Sequence, residues 1–203
     1  MRAKCLALVL GGLVTASSAS AAVVYSDFAA GQSYVSGQGW TVQQSQYIAG
    51  DFTPIADYTL TSITLAFGYF SNSTDTFNFA LTSNASGSPG TVIESWTTQA
   101  ATIFGQPDLM TLNSVGSVPL VAGQTYWITA ESATASANGA WNLNDHNPGI
   151  LGIDGSRDQG ASWQADNSDL SPAFEVDGIT PEPTCVAFLC ALPLFLSRRR
   201  SRC

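Results

Sequence analysis

Along most of the chain, apolar residues recur at every second position, the period of a half-buried β-strand. Ile63, Leu65, Phe67 and Tyr69 alternate with Thr64, Ala66 and Gly68 inside Tyr58 to Tyr69. Phe77, Phe79 and Leu81 repeat the pattern against Thr76, Asn78, Ala80 and Thr82. After the turn-forming run Asn84 to Gly90, a further strand is predicted over Thr91 to Thr97. Others are predicted at Met110 to Asn113, Val118 to Val121, Thr125 to Glu131, Ala140 to Leu143, Ala161 to Gln164 and Ala173 to Val176. In the strand from Thr125, Tyr126 and Ile128 are expected to point inward. Ser132 to Gly139 reads as a flexible low-complexity loop, and Asp177 to Thr180 as a short connector. No helix template of useful length and no fixed-period repeat interrupts this series. The pattern predicts an all-β chain: a single antiparallel β-sandwich, jelly-roll-like, spanning residues 22–180.

The two ends depart from that pattern. Met1 to Lys4 is basic, Cys5 to Val14 is apolar, and Ala19, Ala21 and Ala22 supply small residues for cleavage. That is the layout of a secretory signal peptide over residues 1–21. At the other end Pro181, Glu182 and Pro183 precede an apolar segment, Thr184 to Leu196, and a tail containing Arg198, Arg199, Arg200 and Arg202. As a helix the apolar segment reaches only ~20 Å, against a hydrocarbon core of ~30 Å. Pro193 would bend it further. Such a segment predicts a short, transient transmembrane helix, with its arginines held on the cytoplasmic side.

This order of parts resembles the PEP-CTERM sorting signal of Gram-negative bacteria: a literal Pro181-Glu182-Pro183, a short hydrophobic helix and a terminal arginine cluster. The resemblance covers about the last tenth of the chain, residues 181–203. It implies recognition by an exosortase, passing anchorage in the inner membrane, and delivery to the cell surface or extracellular matrix. It also implies an association with exopolysaccharide and biofilm. Between the ends, Val24 to Phe28, Gly39 to Val42, Ala49 to Pro54, Leu60 to Ile63, Ser88 to Val92, Leu120 to Trp127 and Pro172 to Val176 are similar to the choice-of-anchor domains, most of all the R type. That class implies a β-rich surface domain ahead of an interchangeable anchor, with no activity common to the class.

Charge and cysteine usage narrow the function classes. The chain has seven basic and fifteen acidic residues. Two of the bases lie in the leader and four in the tail, so Arg157 is the only one left between residues 22 and 180, facing fourteen acids. A surface with a net charge near −13 cannot neutralise phosphates, which excludes nucleic acid and anionic lipid as partners. All four cysteines, Cys5, Cys185, Cys190 and Cys203, lie in the terminal segments, so the domain between them is built without disulfides.

No catalytic constellation emerges. His146 is the single imidazole, in a turn-rich polar loop, and no Gly-x-Ser-x-Gly elbow accompanies it. Zinc lacks its ligand types, and no resident cofactor is expected. Calcium accepts oxygen ligands from loops, so Asn144 and Asp145, with Asp154 and Asp158, are the candidate set. A glycan hydrolase would need two converging carboxylates, which the sequence does not single out. Carbohydrate binding would need exposed tryptophans beside Asn or Asp. Trp141 and Trp163, next to polar loops, are the candidates. The primary expectation is a non-enzymatic surface or matrix protein, with a carbohydrate-binding module as the alternative and a hydrolase third.

Overall fold

The computed structural model describes residues 21–106, 109–145, 152–166 and 170–181. The leader with Ala19, His146, and the sorting segment from Glu182 onward, including Pro183, Arg198, Arg199 and Arg200, lie outside the described residues. One compact unit runs from Ala21 to Pro181. Among the described residues it is all-β and contains no helix. Its strands in chain order begin with β1 (Ala21–Ser26), β2 (Val35–Gln43), β3 (Tyr47–Phe52), β4 (Tyr58–Leu65) and β5 (Phe67–Tyr69). They continue with β6 (Thr76–Asn84), β7 (Pro89–Gln99), β8 (Thr102–Ile103), β9 (Met110–Asn113) and β10 (Pro119–Leu120). The last are β11 (Tyr126–Ser132), β12 (Asn138–Leu143), β13 (Ile153–Ser156), β14 (Gln164–Asp166) and β15 (Phe174–Ile179).

These form three sheets. A six-stranded sheet has the order β14-β13-β3-β11-β6-β7, and a four-stranded one the order β2-β12-β5-β8. A five-stranded sheet runs β1-β15-β4-β10, with β9 also paired to β4. All pairings are antiparallel except β5 with β8. The expected strand Tyr58 to Tyr69 is divided at Ala66, where the chain passes from the five-stranded to the four-stranded sheet. Backbone bonds close the seam: Ala66 N donates to Ala173 O at 3.1 Å, Asn142 N to Ala66 O at 2.8 Å, and Ala173 N to Asn142 O at 2.8 Å.

One apolar core draws on all three sheets. Leu60, Ile63, Leu65, Phe174 and Val176 come from the five-stranded sheet, Val42, Phe67 and Trp141 from the four-stranded, and Ile48, Phe52, Phe77, Phe79, Leu81 and Ile128 from the six-stranded. Aromatic rings join them. Phe67 lies edge-on to Phe77 and Phe79 at 4.8 and 5.1 Å, and Phe174 lies 6.3 Å from Phe52 and 5.8 Å from Trp141. Each such ring contributes about 1.5–3 kcal/mol through burial alone.

Four local expectations are revised. Asp177 to Ile179, expected as a connector, extend β15 and pair with both β1 and β4. The strand expected at Ala161 to Gln164 begins only at Gln164, because Asp158 takes the amide of Ser162 at 2.9 Å and its hydroxyl at 2.5 Å, holding the preceding residues in a turn. Ser132 and Asn138-Gly139 belong to β11 and β12, which shortens the expected loop between them. Tyr126 and Ile128 are buried as expected, but so is Trp127, at 1 % exposure. Strand β11 lies inside its sheet between β3 and β6, and the indole NH of Trp127 donates to Asn84 Oδ1 at 3.0 Å.

Glycine 139 makes the contact between sheets possible. A Cβ there would sit 2.6 Å from Gly68 O and 2.8 Å from Phe77 Cζ. Gly139→Ala is therefore expected to cost about 1–3 kcal/mol through overpacking. Thermal melting checks this, and an unchanged midpoint would show that the sheets separate freely there.

Candidate functional site

The sequence-predicted pair Trp141 and Trp163 does not form a binding face. Trp141 is fully buried; its indole NH donates to Ala173 O at 2.9 Å and its ring packs on Phe174. Polar neighbours in the sequence pointed to exposure, yet Asn142 is buried as well, its amide donating to Ala66 O at 2.8 Å in the seam. Trp163 is half-buried in the connection between β13 and β14.

The four residues expected to gather a calcium ion fall into separate hydrogen-bond groups. Asn144 donates to Asp27 Oδ2 at 3.3 Å and to Ser171 Oγ at 2.6 Å, while Asp145 accepts the hydroxyl of Ser33. Asp158 accepts from Ser156 and Ser162, which holds its carboxyl below the usual range, the Ser162 hydroxyl contributing most. Asp154 is buried in β13, and desolvation raises its carboxyl. Among the described residues no three His, Cys, Asp or Glu side chains converge as a metal set.

Carboxylates with shifted protonation are found inside the unit. Asp27 is fully buried, and desolvation raises its pKa to about 7, although Phe174 N donates to it at 2.7 Å. The buried Tyr25 hydroxyl is pushed far above its usual range by desolvation, then by the charges of Asp27 and Asp51. Asp51 is raised by burial first and also by the charge of Asp154, so these two acids are neighbours. Asp154 is only 1 % exposed, whereas Asp51 is half-buried.

Accessible concave surface lies elsewhere: a cavity of about 370 Å³ is lined by Gly31, Gln32, Ser33, Tyr34, Ser36 and Leu109, and two more lie where three connections meet. Gln43 and Gln46 close the β2–β3 hairpin through reciprocal backbone bonds of 3.0 and 2.8 Å, leaving Gln44 and Ser45 exposed at its tip. Tyr47 pairs with Ser156, so Gln46 comes beside Arg157; Gln43 pairs with Asn138, so the hairpin also meets the β11–β12 connection. Ser156 anchors the turn after β13 by accepting Gly160 N at 2.8 Å. There Gln159 and Gly160 take positive φ values of 61° and 84°.

Two adjoining cavities result. The first, about 130 Å³, opens between β2 and the β13–β14 edge and is lined by Trp40, Gln46, Ile48, Ile153, Gly155, Ser156, Arg157, Gln164, Ala165 and Asp166. The second, about 500 Å³, is lined by Gln43, Gln44, Ser45, Ala135, Ser136, Ala137, Asn138, Arg157 and Gln159. Arg157 belongs to both. Trp40 stands opposite Trp141 in register, packs partly against the core, and is held by an indole bond of 2.7 Å to Leu170 O. Its sequence signal was weak: a tryptophan between Gly39 and Thr41, in a strand too rich in Gly and Gln to show alternation.

No protein-family model matches the chain, and no curated protein is similar to it.

Proposed function

We propose that the protein is an exported, non-enzymatic component of the bacterial surface or extracellular matrix, sorted through a PEP-CTERM signal by an exosortase and associated with exopolysaccharide. The observation that carries the reading is the arrangement of the chain: an export leader and a Pro-Glu-Pro, apolar and arginine-rich tail bracket one disulfide-free β-unit. The geometry of the unit's ends supports it. Ala21 pairs with Ile179 across β1 and β15, so the first and last strands of the unit lie side by side. Cleavage after Ala21 or Ala22 leaves Val23–Ser26 of β1 intact, and Pro181 is exposed beyond β15. We read the three sheets as one sandwich of jelly-roll type, with the five- and four-stranded sheets forming one layer along their seam, and the domain as choice-of-anchor-like.

Intact mass and fractionation from the native host, with and without its exosortase, test the sorting reading. The expected mature species lacks the leader and everything after the Pro-Glu-Pro region, and it leaves the inner membrane only when the exosortase is present. Persistence of residues 184–203 in an inner-membrane fraction of the normal host would overturn it.

A carbohydrate-binding module is the second reading. The paired cavities beside Trp40 favour it, in place of the Trp141 and Trp163 face expected from the sequence.

A further inference from the structure

We propose that the two cavities around Arg157 form one binding groove for an uncharged, hydroxyl-rich glycan chain, with Trp40 as the wall for a sugar ring and glutamine amides as the polar contacts. This deepens the carbohydrate reading and stands apart from the sorting reading, because binding is measured on the isolated unit.

The composition of the groove argues for this ligand. Five glutamines, Gln43, Gln44, Gln46, Gln159 and Gln164, line the two cavities. A primary amide offers two donors and two acceptor sites, which matches vicinal hydroxyls that both donate and accept. Gln43 donates to Ser45 Oγ at 3.1 Å, whereas the other four amides make no side-chain hydrogen bond to another described residue. Among the described residues nothing competes for their donors and acceptors. Ile48, Ile153 and the Trp40 indole supply the apolar part of the first cavity, where the CH face of a pyranose can rest. The bond to Leu170 O orients the Trp40 ring in advance, so little entropy is lost when a sugar meets it.

Charge selects the class of glycan. The unit carries fourteen acids, yet among the described residues Asp166 is the only acid lining either cavity, and Arg157 is the only base. A polyanionic chain would be repelled by the surrounding acidic surface. A polycationic chain would meet Arg157 at the middle of the groove. A neutral chain encounters neither penalty, and the larger cavity falls within the range of about 300–1,000 Å³ usual for small-ligand sites.

The test uses the purified unit, residues 22–180, against a panel of immobilised tetrasaccharides: neutral hexose chains and uronate chains. Retention of neutral members is expected, with an affinity at least tenfold lower in the Gln46→Ala/Gln164→Ala double variant. Gln164 is exposed and Gln46 contributes only its backbone to the hairpin, so the double variant should fold; an unchanged circular dichroism spectrum and melting midpoint check this. Trp40→Phe, which keeps an aromatic wall but loses the bond to Leu170, should weaken retention without abolishing it. Three results would overturn the proposal. They are no retention of any neutral tetrasaccharide at millimolar concentration, retention unaffected by the double variant, or retention of uronate chains alone that disappears in Arg157→Gln.

Discussion

Trp141→Ala should lower the unfolding free energy of the unit by about 3–5 kcal/mol, the range for deleting a large buried aromatic. The indole is fully buried, and it stands at the seam where the five- and four-stranded sheets are joined through Ala66, Asn142 and Ala173. Its loss leaves a cavity beside Phe174 and also strips the carbonyl of Ala173 of its indole donor. Total stabilities of such domains are about 5–15 kcal/mol, so the variant should melt on the order of 10 °C lower. Urea unfolding followed by far-ultraviolet circular dichroism measures the effect without relying on tryptophan emission. Trp163→Ala is the control, because its half-buried ring lies in a connection and should cost less than about 1 kcal/mol. Equal costs for the two would show that the seam does not depend on the Trp141 indole.

The second large effect is a dependence of stability on pH. Asp27 follows β1 and ties it to β15: its carboxyl accepts Phe174 N, and its own amide donates to Phe174 O at 3.2 Å. Burial raises its pKa to about 7, compared with about 3.9 in an unfolded chain. Between those values the folded state holds a proton that the unfolded state has released. Stability from this group is therefore full below about pH 4, declines as pH rises, and is gone above about pH 7. The difference amounts to a few kcal/mol. Asp51, Glu131, Asp154 and Asp177 are also raised by burial and act in the same direction. Urea midpoints at pH 5 and pH 8 should differ clearly in favour of pH 5. Asp27→Asn should flatten most of that difference, since an amide fills the same space without titrating. A midpoint that rises from pH 5 to pH 8 would contradict the buried carboxyl.

The parts legible in the sequence are those where one face is wet and the other dry. The period-two runs at Ile63 and Leu65, at Phe77 to Leu81 and at Met110 to Leu112 became β4, β6 and β9, with the expected residues in the core. Ser86 and Gly87, both at positive φ, form the tight turn that the run from Asn84 indicated. Strands without such contrast escaped notice. In β3, Tyr47 to Gly50 are all buried, so no alternation appears; β2 is interrupted by Gly37 and Gly39; β13 is short and contains the buried Asp154. Trp141 misled for a related reason, because its polar neighbour Asn142 satisfies its amide inside the seam.

By itself the sequence determined the all-β class, the acidic and cysteine-free character of the region between its ends, and the composition of those ends. These are local properties, written in single residues and in spacing along one strand. Tertiary structure alone decided which aromatic is core and which lines a groove. Gln46 meets Arg157 because Tyr47 pairs with Ser156, and Gln43 meets the β11–β12 connection because it pairs with Asn138. Strand register between distant segments places such residues side by side, and register is set by burying the whole sheet at once.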